Sequence, residues 1–163
     1  MIVLIGFMGA GKTTVGRLLA GKLGLPFIDS DVVIEERGGR PVRQIFTDDG
    51  EDAFRALEHE TVAGLLRGRD AVLALGGGAV EHPVTQDLLR PAPVVYLHVG
   101  YPAAVARVGG DAGRPMLRRS DLEAVYQRRL TAYAAAATLT VRTDGRGPED
   151  VCLDIVQYLG AGR

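Results

Sequence analysis

The sequence predicts an α/β fold: one domain, residues 1–163, with a five-stranded parallel sheet and helices on both faces. Three observations predict it. Five short apolar runs recur along the chain: "IVLI", "PFID", "AVLAL", "PVVYLHV" and "TLTVR". Between them lie stretches with apolar residues at helical spacing. The runs are mostly continuous rather than alternating, as in strands covered on both faces. A hydrophobic content of 47% is enough to build a core.

The elements follow in order. "IVLI" is a buried strand, and "GKTTVGRLLAGKLG" a helix with Val15, Leu18, Leu19 and Leu23 at helical spacing and Gly24 as its stop. "PFID" is a short strand. "DVVIEERGG" and "PVRQIF" are short helices, and "EDAFRALEHETVAGLLRG" is a longer one with Phe54, Leu57, Val62 and Leu65 near one face. "AVLAL" is a strand that runs into three glycines. "VTQDLL" is a short helix, "PVVYLHV" a strand, and "PAAVARV" a helix with Pro102 in its first turn. "GGDAGRPMLRRS" has no periodicity and reads as a mobile loop. "DLEAVYQRRLTAYAAAA" is a helix, "TLTVR" a strand and "GPEDVCLDIVQYL" a closing helix.

Composition narrows the class of function. Lys and Arg total 19 against 20 Asp and Glu, so no basic excess points to nucleic acid. A single cysteine permits no internal disulfide. No apolar run reaches bilayer length, and no charged leader precedes "IVLI". We therefore expect a cytoplasmic monomer, with no membrane or nucleic-acid partner.

The stretch "GFMGAGKTT" carries the clearest chemistry. Gly6, Gly11, Lys12 and Thr13 satisfy G-x-x-x-x-G-K-[ST], with a strand before and a helix after. Glycines let the backbone curl so that successive N–H groups point inward at phosphate oxygens. Gly9, Ala10, Gly11, Lys12, Thr13 and Thr14 are the expected ATP contacts, with Lys12 on the terminal phosphates and the Thr13 hydroxyl on Mg²⁺. The only lysines are Lys12 and Lys22, in a chain that otherwise uses arginine. A lysine in this loop supplies a compact point charge that arginine does not.

"GFMGAGKTT", "DSD" and "GGGA" each follow a predicted strand, so they should meet on one rim of the sheet. Asp29 and Asp31 suit a magnesium shell and a hydroxyl acceptor. Asp31 also stands where a helix N-cap is expected. The GTPase signature N-K-x-D is absent, and the length suits a kinase for a small molecule.

The chain resembles the shikimate kinases. The elements that carry the resemblance are "GFMGAGKTTVGRLLA", "FIDSD", "IFTDDGEDAFRALE", "LALGGGAV", "GRPML" and "RLTAY", in this order over nearly the whole chain. The resemblance implies a P-loop kinase fold like that of nucleoside-monophosphate kinases, with a lid at about 109–120. It implies ATP-dependent phosphorylation of the 3-hydroxyl of shikimate, on the way to chorismate and aromatic amino acids. ATP and shikimate are the partners, with one Mg²⁺ per subunit.

By resemblance, Asp31 is the catalytic base that holds the acceptor hydroxyls, and Asp29 holds Mg²⁺ through water beside Thr13. Arg55 and Arg129 hold the acceptor carboxylate, a task suited to the planar guanidinium fork. Arg129 is preferred to Arg128 because its spacing to Tyr133 matches the family. Gly76, Gly77 and Gly78 wall the acceptor pocket. They replace the aspartate that many phosphate-loop proteins keep there, which shifts the magnesium work to Thr13 and "DSD". Arg114 is the catalytic lid arginine that also contacts ATP, with Arg118 and Arg119 as lesser candidates. Arg107, Arg146 and Pro148 match adenine-side contacts.

Alternative readings are a kinase for gluconate or a nucleoside monophosphate, and an ATP-binding regulatory domain without turnover. His59, His82 and His98 have no metal spacing and read as structural or surface residues. Cys152, among Val151, Ile155 and Val156, reads as a small buried side chain rather than a nucleophile.

Overall fold

A computed structural model describes residues 1–109 and 121–161. Strands β1 (Ile2–Ile5), β2 (Phe27–Asp29), β3 (Val72–Ala74), β4 (Val94–His98) and β5 (Leu139–Arg142) form one parallel sheet in the order β2-β3-β1-β4-β5. The described helices are α1 (Lys12–Leu23), α2 (Ser30–Gly38), α3 (Val42–Leu66), α4 (Pro83–Leu89), α5 (Tyr101–Val108), α6 (Leu122–Ala136) and α7 (Pro148–Ala161). A 3-10 turn, Ala79–Glu81, follows the triple glycine.

Strand register shows that helices cover both faces. Consecutive strand residues point to opposite sides, so Leu4 and Ile5 face different layers. Leu4 aligns with Val95, and Ile5 with Tyr96. Gly16 of α1 lies against Leu4 and Phe27. Tyr133 of α6 packs on Tyr96 with ring centroids 5.1 Å apart. Helices α1 and α6 therefore cover opposite faces, and α7 packs beside α1. All of β1 is buried, as its continuous apolar run predicts. Leu4, Leu73 and Leu97 are among the fully buried side chains. Truncating any one to alanine should cost about 2–5 kcal/mol. Leu23 departs from the sequence reading: at 37% exposed it sits in the last turn of α1, past the buried stripe of Val15, Gly16, Leu19 and Ala20.

A smaller cluster, Ile34, Ile45 and Phe54, joins α2 to α3. The sequence predicts two helices where α3 runs, with "TDDG" between them. In the structure the first helix continues through Thr47–Asp49, and the interruption is Gly50 alone, at φ 85° and ψ 171°. A side chain would be strained at that φ. Arg40 holds the segment by pairing with Asp48 at 3.3 Å and with Asp49. Phe54 is buried in this apolar cluster, which fixes the backbone that carries the next residue, Arg55.

No described helix is long and apolar enough to cross a membrane.

Candidate active site

The carboxyl ends of β1, β2 and β3 open into a cleft of about 530 Å³. Its walls include Gly9, Gly11, Lys12, Thr13 and Thr14 from the phosphate loop, and Asp29, Asp31, Arg55, Glu58, Arg129 and all three glycines from the opposite side. The three stretches that the sequence placed after strands thus meet in one cavity.

The loop closes tightly. At Gly9, φ is 74°, and a Cβ there would stand 2.7 Å from the Ala104 carbonyl oxygen. Gly11 enters α1 at φ 90° and brings no capping side chain. The N-terminus of α1, the positive end of its dipole, borders the cleft. The Lys12 ammonium donates to the carbonyls of Gly6 (2.8 Å) and Phe7 (3.2 Å), which holds it over the loop. Ala10 is buried and can offer only its backbone. Arg107 also lines the cleft, and it binds the loop, donating to the Gly9 carbonyl at 3.0 Å and to Thr143 on the β5 side.

The two aspartates divide their work differently from the sequence reading. Asp29, not Asp31, caps α2: its Oδ1 accepts the Asp31 N–H at 3.1 Å. The helix starts one residue earlier than "DVVIEE" suggested, because Ser30 already adopts helical geometry. Ser30 is buried, and its hydroxyl accepts the Gly76 N–H at 2.9 Å, so one of the three glycine donors is already engaged. The other Asp29 oxygen accepts from the Thr13 hydroxyl at 3.1 Å.

Asp31 lies at helix position two, where protein packs around it but the open cleft keeps it in contact with solvent. Protein surrounding it, together with the carboxylates of Asp29, Glu58 and Glu35, raises its pKa from 3.8 to about 6. Partial loss of water contact is the largest cause, and Lys12 opposes the rise. A carboxylate in this range can take a proton near neutral pH.

Each glycine of the triple run makes room for polar side chains. A Cβ at Gly76 would strike Asp31 Oδ1, and one at Gly78 would overlap the Arg55 guanidinium. A Cβ at Gly77 would meet the Tyr133 hydroxyl (3.3 Å) and Arg129 Nη1 (3.4 Å). The Tyr133 hydroxyl donates to the Gly77 carbonyl at 2.7 Å and ties the loop to α6.

Arg55 lies over the rings of Phe46 and Phe54, at 5.7 and 5.2 Å from their centroids, and binds Glu58 at 2.6 Å. Arg129 is only 4% exposed, whereas its neighbour Arg128 is turned out to solvent. The buried arginine of the pair is therefore the one that the sequence reading chose.

Other candidates lie elsewhere. Arg146 and Pro148 are not part of the described cleft wall; Arg146 is held by Asp154 at 2.7 Å beside the start of α7. Arg114, Arg118 and Arg119 lie outside the described residues. His59 and His82 stack on each other at 4.3 Å, behind the cleft. Cys152 is fully buried, and loss of water contact pushes its thiol up, away from nucleophilic use.

Two acidic residues went unnoticed in the sequence. Glu58, 4% exposed, pairs with Arg55, and burial raises its carboxyl against the pull of Arg55 and Arg129. The three-residue spacing of Arg55 and Glu58 on a helix was the available signal. Glu81 binds Arg129 at 2.7 Å and Arg128 at 3.0 Å. Nothing in its sequence context marks it, because its partners lie 47 and 48 residues away.

A phosphate loop at the carboxyl end of the central strand of a parallel sheet, facing a pocket of acids and arginines, defines a P-loop kinase for a small molecule. The family model described as shikimate kinase matches residues 8–160. The shikimate kinases of Salinispora arenicola (strain CNS-205) and Thermobifida fusca (strain YX) are 49% and 48% identical to this chain. Those alignments cover 98% and 99% of this chain, and 97% and 95% of the relatives. The structure of the Acinetobacter baumannii shikimate kinase in complex with shikimate matches with a TM-score of 0.92 at 35% identity, over 99% of this chain and 93% of that one. The chain belongs to the shikimate kinase family.

Proposed function

We propose that the cleft holds ATP on its phosphate-loop side and shikimate on its arginine side, with Asp31 between them. The protein catalyses ATP-dependent phosphorylation of shikimate, as its family membership implies. The observation that carries the division of the cleft is the position of Asp31. Its Oδ1 meets Glu58, the Arg55 partner, across Gly76, and it shares the cleft wall with Lys12 of the phosphate loop.

Lys12 and the N–H groups at the start of α1 receive the phosphate chain. Arg55 and Arg129 take the shikimate carboxylate. The acceptor hydroxyl oxygen attacks the γ-phosphorus as the bond to the bridging oxygen of ADP breaks. Its proton passes to Asp31 Oδ, for which a pKa of about 6 is well matched. Most of the rate then comes from positioning and from fixed positive charge. Arg114 is assigned to the transferring phosphoryl by its place in "GRPML".

Thr13 and Asp29 present two hard oxygen donors 3.1 Å apart at the mouth of the loop, a set that fits Mg²⁺. When bound with ATP, the ion supplies charge neutralisation at the terminal phosphates.

The test is ADP release measured side by side with shikimate, quinate, gluconate and nucleoside monophosphates. Shikimate should give the highest kcat/KM. A higher value with gluconate or a nucleotide would overturn the assignment.

A further inference from the structure

We propose that Glu81 is a positioning residue for acceptor recognition, which sets the orientation of Arg129. The inference rests on the reading of Arg129 as the shikimate carboxylate site.

Glu81 closes the 3-10 turn that follows the triple glycine, and Arg128 and Arg129 are neighbours on α6. The two carboxylate oxygens are divided between the two arginines. Oε2 accepts from Arg129 Nε at 2.7 Å, and Oε1 accepts from Arg128 Nε at 3.0 Å.

A guanidinium offers donors from Nε and from both terminal nitrogens. Glu81 engages Arg129 through Nε, so the terminal nitrogens point away from this carboxylate and toward the Tyr133 hydroxyl. One of these, Nη1, lies against Gly77 on the cleft wall. The contact thus selects which edge of Arg129 is offered to an acceptor carboxylate. Charge is consistent with this role. Two guanidiniums share the Glu81 carboxylate, so this one contact does not neutralise both, while Glu58 also acts on Arg129 from the cleft side. Arg128, exposed on the far side, supplies the second positive charge.

Glu81 also joins two walls of the acceptor pocket. With the Tyr133 contact to Gly77, it fastens the glycine loop to α6 at a second point. Its side chain borders a second cavity of about 230 Å³ behind the loop. Truncation there enlarges an existing space and removes little apolar packing, so the main loss should be the hold on Arg129.

The test is a double-mutant cycle of Glu81→Ala and Arg129→Ala, read as KM for shikimate, KM for ATP, kcat and Tm. Glu81→Ala should raise the shikimate KM about tenfold, with kcat and the ATP KM within about twofold. In the Arg129→Ala background the same change should alter kcat/KM for shikimate by less than about twofold. Glu81→Gln keeps an oxygen for one Nε but loses the charge. It should raise the shikimate KM about threefold, again only while Arg129 is present, and it decides the matter if the alanine variant does not fold. An unchanged or lower shikimate KM, or an equal loss in both backgrounds, overturns the proposal. If Arg129→Ala itself leaves the shikimate KM unchanged, the reading of Arg129 fails and this inference with it. A normal Arg129→Ala defect beside a silent Glu81→Ala defeats only the role of Glu81.

Discussion

Asp29 Oδ2 accepts a hydrogen bond from Thr13 Oγ1 at 3.1 Å, which links the first turn of α1 to the end of β2. The same carboxylate caps α2 through its other oxygen. Substitution at the two residues should therefore have different consequences. Thr13→Ala should raise the Mg²⁺ concentration needed for half-maximal turnover and lower kcat, with little change in Tm. Asp29→Ala should do the same and also cost about 1 kcal/mol of stability through the lost cap. Mg²⁺ titrations of activity and thermal unfolding of both variants provide the check. An unchanged Mg²⁺ dependence in both would remove them from the metal site.

The raised pKa of Asp31 has two consequences of opposite sign. As a base it works only when ionised, so kcat/KM for shikimate should fall as pH drops through about 6. Asp31→Asn should lower kcat by two decades or more at every pH and remove this limb. For stability, the folded pKa is above the ordinary 3.8, so the folded state binds the proton more tightly. Stability from this group is present at low pH, declines between about 4 and 6, and stays low above that range. Asp31→Asn should therefore raise Tm at pH 7, and the gain should vanish near pH 4. A lower Tm at pH 7 would contradict the linkage.

Gly78 leaves room for the Arg55 guanidinium. Adding a Cβ displaces only the far end of a flexible side chain, so Gly78→Ala should fold normally. The displaced Arg55 should raise the shikimate KM about tenfold or more and leave the ATP KM unchanged. Arg55→Ala should mimic it. Equal increases for both substrates would show that the glycine shapes the whole cleft and not the acceptor side.

Burial distinguishes the adjacent arginines Arg128 and Arg129. Removing Arg129 leaves Glu81 and the acceptor carboxylate without their buried partner, a loss of about 3–5 kcal/mol, or two decades or more in shikimate affinity. Arg128→Ala removes an exposed partner and should cost less than about 1 kcal/mol. Separate binding titrations with shikimate and ATP are the measurement. Matching losses in the two variants would refute the distinction.

Local chemistry made much of this protein legible in the linear chain. The "GFMGAGKTT" loop could be read because its glycines, lysine and threonine act through neighbouring backbone. The five strands and their intervening helices followed from apolar runs and helical spacing, which are properties of adjacent residues. The order of the motifs along the chain was enough to identify the family. Element ends were less legible. Ser30 joins α2, and "TDD" extends the first part of α3, because capping and ion pairs with residues such as Arg40 decide where a helix stops.

Long-range contacts settled the rest. The strand order β2-β3-β1-β4-β5 places the phosphate loop of β1 beside the glycine run of β3, though about seventy residues separate β1 from β3 in sequence. Glu58 and Glu81 look like ordinary surface acids until α3 and α6 close around them, when burial and arginine partners give them a role. The pKa of Asp31 depends on groups from the phosphate loop, α2 and α3 that meet only in the folded cleft. Sequence by itself determined which elements form and which chemistry the loop carries, because those depend on neighbouring residues. The tertiary structure alone decided which charges are desolvated and which partners they meet, because electrostatic energies depend on distance in space and on access to water.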